Sequence, residues 1–144
     1  MLIFLTQVIS SFLASSFFSI INNIPKRYIL LCGVSGTLTW LTYSILIYLK
    51  VRSTISALVA TIVLSTYSSI FSHKLNIPTN IFNVSGMLTI VPGNLVYQAF
   101  QYIEKQSFLQ AIEAGTQAIM VAISISIGFL FSNVVYILKE KIHN

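Results

Sequence analysis

The feature that most constrains this chain is a succession of five apolar runs, each close to the length of a membrane crossing. They cover residues 1–21, 28–49, 55–71, 81–103 and 115–138. A helix needs about 20 residues to cross a hydrocarbon core of roughly 30 Å. The third run is short by that measure, and the fourth is interrupted by Pro92 and Gly93. The expected fold is all-α: a polytopic integral membrane protein of about five hydrophobic segments with a Pro-Gly-broken fourth helix, making one membrane domain over residues 1–144.

Composition points the same way. Of 144 residues, 56% are hydrophobic and 8% charged, against about 25% charged in an ordinary soluble domain, so the chain could not cover itself in water. Its net charge of +5 falls between or beyond the apolar runs, where it marks membrane topology rather than a nucleic-acid surface. The connectors NNIPKR, KVRS, SHKLNIPTN and EKQSFLQAIEA are too short to be soluble domains. The last of them reads as a polar connector or as a surface-lying segment with Phe108, Leu109 and Ile112 on one side. The first run has no basic leader region and no clear cleavage site, and is read as a retained span.

If all five runs cross, Lys26, Arg27, Lys74, Lys139 and Lys141 share one side, against Lys50, Arg52 and Lys105 on the other. The positive-inside bias then places the N-terminus outside and the C-terminus in the cytoplasm. If the fourth run only re-enters, the bias disappears.

The residues exclude several functions. Cys32 is the sole cysteine, which leaves no intrachain disulfide and no cluster of soft metal ligands. Paired carboxylates, a Cys-His pairing, G-x-S-x-G and H-E-x-x-H are all lacking, so neither an enzyme, a metal nor a cofactor is expected. Glu104 and Glu113 flank a connector, Glu140 lies in the tail and His73 at a helix end. With no ionisable group deep in a span, a proton-coupling group is expected on a partner chain. Trp40 and Tyr43 read as packing residues or interfacial anchors. Ser11, Ser15 and Ser19, and likewise Ala114, Ala118, Ala122 and Ser126, recur every four residues; such rows serve either packing within the chain or a face for a partner.

The stretch VPGN interrupts the fourth run. Pro92 lacks the N–H that would bond the Leu88 carbonyl and disfavours helix at Val91, and Gly93 adds backbone freedom. Asn94 is then expected to cap a second half-helix, with Tyr97 one turn further on. Either this is a kink in a continuous helix, or the N-terminal end of a half-helix offers N–H donors and partial positive charge to a carboxylate near the membrane midplane, as in many transporters.

Four short elements together resemble the threonine/serine exporter family, in its smaller membrane half, over residues 5–138. NIPKR (23–27) is similar to the family's turn after the first span, followed by Cys32 and Gly36. PTNIF (78–82) is similar to its entry into the broken segment, and VPGNLVY (91–97) to its V-P-G-x-x-x-Y element. Ser85 and Thr89 stand where the family pattern often has prolines. The resemblance implies a secondary exporter of small amino acids, driven by the proton-motive force, in the bacterial cytoplasmic membrane. It further implies a larger membrane subunit supplied as a second protein, and a substrate path lined by Pro92, Gly93, Asn94 and Tyr97. Two other readings stand beside it, a subunit exporting a small dicarboxylate and a non-transporting assembly subunit; lipid contact is expected in each, and homo-oligomers are compatible with all three.

Overall fold

The computed structural model describes the backbone of residues 2–143 and the side chains of residues 4–131. Within them the chain forms six helices and no strand: α1 (Leu2–Ile21), α2 (Lys26–Tyr48), α3 (Ser53–Leu75), α4 (Asn80–Met87), α5 (Gly93–Glu104) and α6 (Phe108–His143). Four of them, α1, α2, α3 and α6, are long and apolar enough to cross a membrane. The fifth expected segment is present as two short helices, α4 and α5. At about 1.5 Å per residue these measure roughly 12 and 18 Å, together about one hydrocarbon thickness.

Four of the connections are built alike. In the α1–α2, α2–α3, α3–α4 and α5–α6 connections the first helix is followed by a residue with positive φ: Asn23, Lys50, Asn76 and Gln106. In each, that residue's N–H bonds three residues back and the next N–H bonds five back, as in Ile24 to Ser19 and Val51 to Leu46, both at 3.0 Å. This double bond closes the helix end within two residues and satisfies carbonyls that lipid could not. Such compact turns make sequential helices antiparallel neighbours.

The register of contacts settles the course of the fourth segment. Gln117 on α6 donates to Ser53 at the start of α3, and Gly128 further along α6 lies against Leu58 and Thr61 further along α3. The two helices therefore run parallel, with the end of α3 and the start of α6 at opposite faces of the bundle. The chain between them, α4 and α5, therefore runs from one end of the bundle to the other, the course that the five-crossing reading of the sequence expects. It groups the α1–α2 turn, the α3–α4 turn and the end of α6 at one face, the face of Lys26, Arg27 and Lys74.

Packing is uneven around this bundle. Helix α4 lies against α1, α2 and α3, whereas α5 lies along α6. The apolar centre is Ala57, Ala60, Ile90, Val121 and Ile125, with Tyr43, Leu95 and Phe129 against it. Much of the rest of the described interior is hydroxyl-bearing: Ser15, Ser19, Ser35, Thr39, Ser56, Thr61, Ser65, Ser68 and Ser85 are buried. The outward faces carry Leu5, Ile9, Phe17, Leu30, Ile70, Ile119 and Phe131, the surface a bilayer solvates.

Three expectations are corrected. Residues 108–114 belong to α6 and not to a connector, which shrinks to Lys105–Ser107: Ala111 and Ala114 are buried while Glu113 is exposed, so the helix begins on an amphipathic turn before the apolar run does. Helix α3 is longer at both ends than the apolar run 55–71, because its last turn is polar. The every-fourth row in α6 does not stay on one face. Ala114 and Ala118 are buried but Ala122 and Ser126 are exposed, since a step of four residues precesses by about 40° around a 3.6-residue helix. The buried row moves instead to Val121, Ser124, Ile125 and Gly128. In α1, Ser11, Ser15 and Ser19 are buried, which makes that row an internal packing face. The side chains of Lys139, Glu140, Lys141 and His143, and the terminal residues Met1 and Asn144, lie outside the described residues.

Candidate site at the broken helix

Helix α4 is held from its carbonyl side by hydroxyls of neighbouring helices. Ser15 Oγ lies 2.7 Å from the Cys32 carbonyl and 2.8 Å from that of Ser85, with one proton to serve both. Ser19 Oγ is 2.9 Å from Ser85 Oγ, which itself donates to the Ile81 carbonyl. Ser35 Oγ donates to Cys32 O at 2.7 Å and lies 3.4 Å from Phe82 O, and Cys32 Sγ is 3.6 Å from Ile81 O. Bonds of this kind between membrane helices average about 0.6 kcal/mol each, so it is their number that fixes α4.

Two glycines let the backbones come this close. A β-carbon on Gly36 would collide with Ser15 and press on Thr89, and one on Gly86 would collide with Leu64 and press on Ser35. Phe82, fully buried, stacks edge-on against Tyr67 and Phe71, and Tyr67 donates to the Leu31 carbonyl at 3.1 Å. Sequence reading assigned none of these residues to the site. The signal available for part of them was the Ser11, Ser15 and Ser19 row in the first run, with Cys32 and Gly36 in the second.

The break follows directly. After α4 the chain tightens through Thr89 N–H to Gly86 O and Ile90 N–H to Met87 O. Pro92, with φ −77° and ψ 46°, sits at the centre of an inverse γ-turn closed by Gly93 N–H to Val91 O at 2.8 Å. Thr89 Oγ1 lies 3.3 Å from the carbonyl of Gly36, at the middle of α2. The register of α4 along α2, Ile81 beside Cys32 and Thr89 beside Gly36, thus carries the break to mid-depth in the bundle.

Of the four residues singled out from sequence, Pro92 and Gly93 form the break itself. Asn94 does not cap α5, a correction: Pro92 holds the N-cap position, with no side-chain cap bond. Asn94 is the second residue of the helix and exposed. Pro92 accepts the Val96 N–H at 3.2 Å, while the N–H groups of Asn94 and Leu95 find no acceptor among the described residues. Around Gly93 there is open space within 4 Å of where a β-carbon would sit. Tyr97 is 61% exposed, with its hydroxyl accepting from Gln101 Nε2 at 3.0 Å. The four residues thus share one surface of the chain, on which Gly93, Asn94 and Tyr97 are exposed and Pro92 is half-buried.

The fold and the break define a class: a multi-pass membrane protein with four helices long and apolar enough to cross, and a further apolar segment broken into α4 and α5. Residues 7–135 match the threonine/serine exporter (ThrE) family, and the chain belongs to that family. Its membership assigns an exporter role within a family of transporters rather than of enzymes. No curated protein and no solved structure matches the chain.

Proposed function

We propose that the chain is one membrane subunit of a two-component secondary exporter of threonine, serine or a similar small amino acid in the bacterial cytoplasmic membrane. The observation that carries this reading is the break: at mid-depth, α5 starts with two unpaired N–H groups, an exposed Asn94 and open space at Gly93. A lipid face is a poor place for unsatisfied backbone donors. A larger membrane subunit covering this surface would turn it into a site in which the N-terminal end of α5 receives the substrate carboxylate. Asn94 would then orient the substrate and Tyr97 line the path.

Among the described residues, every charged side chain lies in or near a turn or at a helix end: Lys26, Arg27, Lys50, Arg52, Lys74, Glu104, Lys105 and Glu113. A group that carries protons through the membrane is therefore assigned to the larger subunit, and the proton-motive force acts through it.

The test is efflux of threonine and serine from dipeptide-loaded cells that lack the protein, compared with cells in which it is restored beside its partner. Faster efflux on restoration is expected. Unchanged efflux with both subunits present in the membrane would overturn the reading in favour of another carboxylate or of an assembly role.

A further inference from the structure

Beside the α1–α2 turn lies a cavity of about 540 Å³ that the export reading leaves unused. Ile20, Ile24, Ile29 and Leu30 form an apolar wall, with Asn23 and Lys26 beside them. Ile20 and Leu30 are 52% and 69% exposed, so the wall opens to the membrane and not to the bundle interior. Arg27 follows Lys26 just outside the cavity's lining and holds its guanidinium 4.5 Å above the ring of the buried Tyr28; the stacking puts a second cation beside the cavity.

At this face Lys26, Arg27 and Lys74 are the formally charged side chains among the described residues, and the described carboxylates, Glu104 and Glu113, lie at the opposite face. The corner therefore joins three properties: a cationic pair, an apolar wall running into the bilayer, and a volume between them. A second cavity at the same face, of about 360 Å³, is lined by Ser69, Ser72, His73, Asn76 and Thr79 along with Ile77 and Pro78. Its hydroxyl-rich lining offers much less for an acyl chain to lie on.

We propose that the α1–α2 corner binds one anionic phospholipid, its headgroup phosphate on Lys26 and Arg27 and its acyl chain along Ile20, Ile24, Ile29 and Leu30. A zwitterionic phospholipid fills the apolar wall equally well, but its ammonium opposes the cationic pair. Discrimination thus comes from the charges, and retention from the wall. A soluble phosphate would find the charges without the wall.

The full-length protein, purified in a non-ionic detergent, is examined by native mass spectrometry and thermal unfolding with added dioleoyl-phosphatidylglycerol, dioleoyl-phosphatidylcholine or glycerol 3-phosphate. Phosphatidylglycerol is expected to bind at a ratio of one and to raise the melting temperature, while the other two leave it unchanged. The double substitution K26Q/R27Q is expected to weaken that binding about fivefold per charge, or roughly thirtyfold in all. K50Q/R52Q at the opposite face is expected to leave it intact. Should K26Q/R27Q fail to fold, Leu30→Trp, which fills the cavity from an exposed position, is expected to abolish retention. Equal stabilisation by phosphatidylcholine, competition by glycerol 3-phosphate, or unchanged phosphatidylglycerol binding in K26Q/R27Q and in Leu30→Trp would each overturn the proposal.

Discussion

Gly86→Ala and Gly93→Ala place the same methyl group in the two halves of one interrupted segment, and the structure assigns them opposite outcomes. At Gly86 the new β-carbon runs into Leu64 Cδ1, with Leu64 Cδ2 at 3.1 Å and Ser35 Oγ at 3.2 Å. Neither neighbour can yield cheaply: Leu64 is wholly buried, and Ser35 is committed to the Cys32 carbonyl at 2.7 Å. Overpacking of this kind costs about 1–3 kcal/mol, or roughly a 5- to 150-fold loss in the folding equilibrium. At Gly93 nothing lies within 4 Å and φ is not positive, so alanine fits and restricts the unfolded chain, a change of about 0.4–1 kcal/mol in favour of folding. Reversible unfolding in mixed micelles at increasing denaturing detergent measures both. If Gly93 borders the substrate path, Gly93→Ala lowers efflux while its stability is unchanged or raised. A neutral Gly86→Ala would refute the clamping of α4, and a destabilised Gly93→Ala would refute the open surface at the break.

Three further outcomes follow from the geometry. Ser15→Ala removes the hydroxyl shared by Cys32 O and Ser85 O and is expected to cost about 0.6–1.7 kcal/mol; a double-mutant cycle with Ser85→Ala should show coupling, and strict additivity would count against a joint network. Asn94→Leu is expected to leave folding and partner assembly unchanged while efflux falls, a split that a scaffold subunit would not show. In a Cys32→Ala background, single cysteines at Lys105 and Gln106 are expected to be labelled from the face opposite to that of cysteines at Asn23 and Lys74; labelling of all four from one face would contradict five crossings.

The crossings were legible because length and apolarity are local properties of a run. The start of α6 was not, since Gln110 and Glu113 dilute the apolar signal although Ala111 and Ala114 already face inward. The break was legible from Pro92 and Gly93, yet the position of the cap was not: the γ-turn at Pro92 starts α5 at Gly93, two residues earlier than a cap at Asn94 would. Least legible was the anchoring of α4. The spacing of Ser11, Ser15 and Ser19 announced a packing face, but the carbonyl of Ser85 that Ser15 reaches is 70 positions away in sequence. Ser85, standing where the family pattern often has proline, gave no sign that hydroxyl and carbonyl would meet there.

The burial of α4 also bears on how the protein is made. Eight residues cannot partition into lipid as an independent span, and Ser85 and Gly86 have their surroundings only once α1, α2 and α3 are side by side. The packing therefore predicts that a three-helix acceptor forms before α4 leaves the translocon, with α5 and α6 following afterwards. A nascent chain ending after Glu104 should remain crosslinked to the insertion machinery longer than one ending after Leu75, and substitutions that loosen the acceptor, such as Ser15→Ala, should prolong that stay.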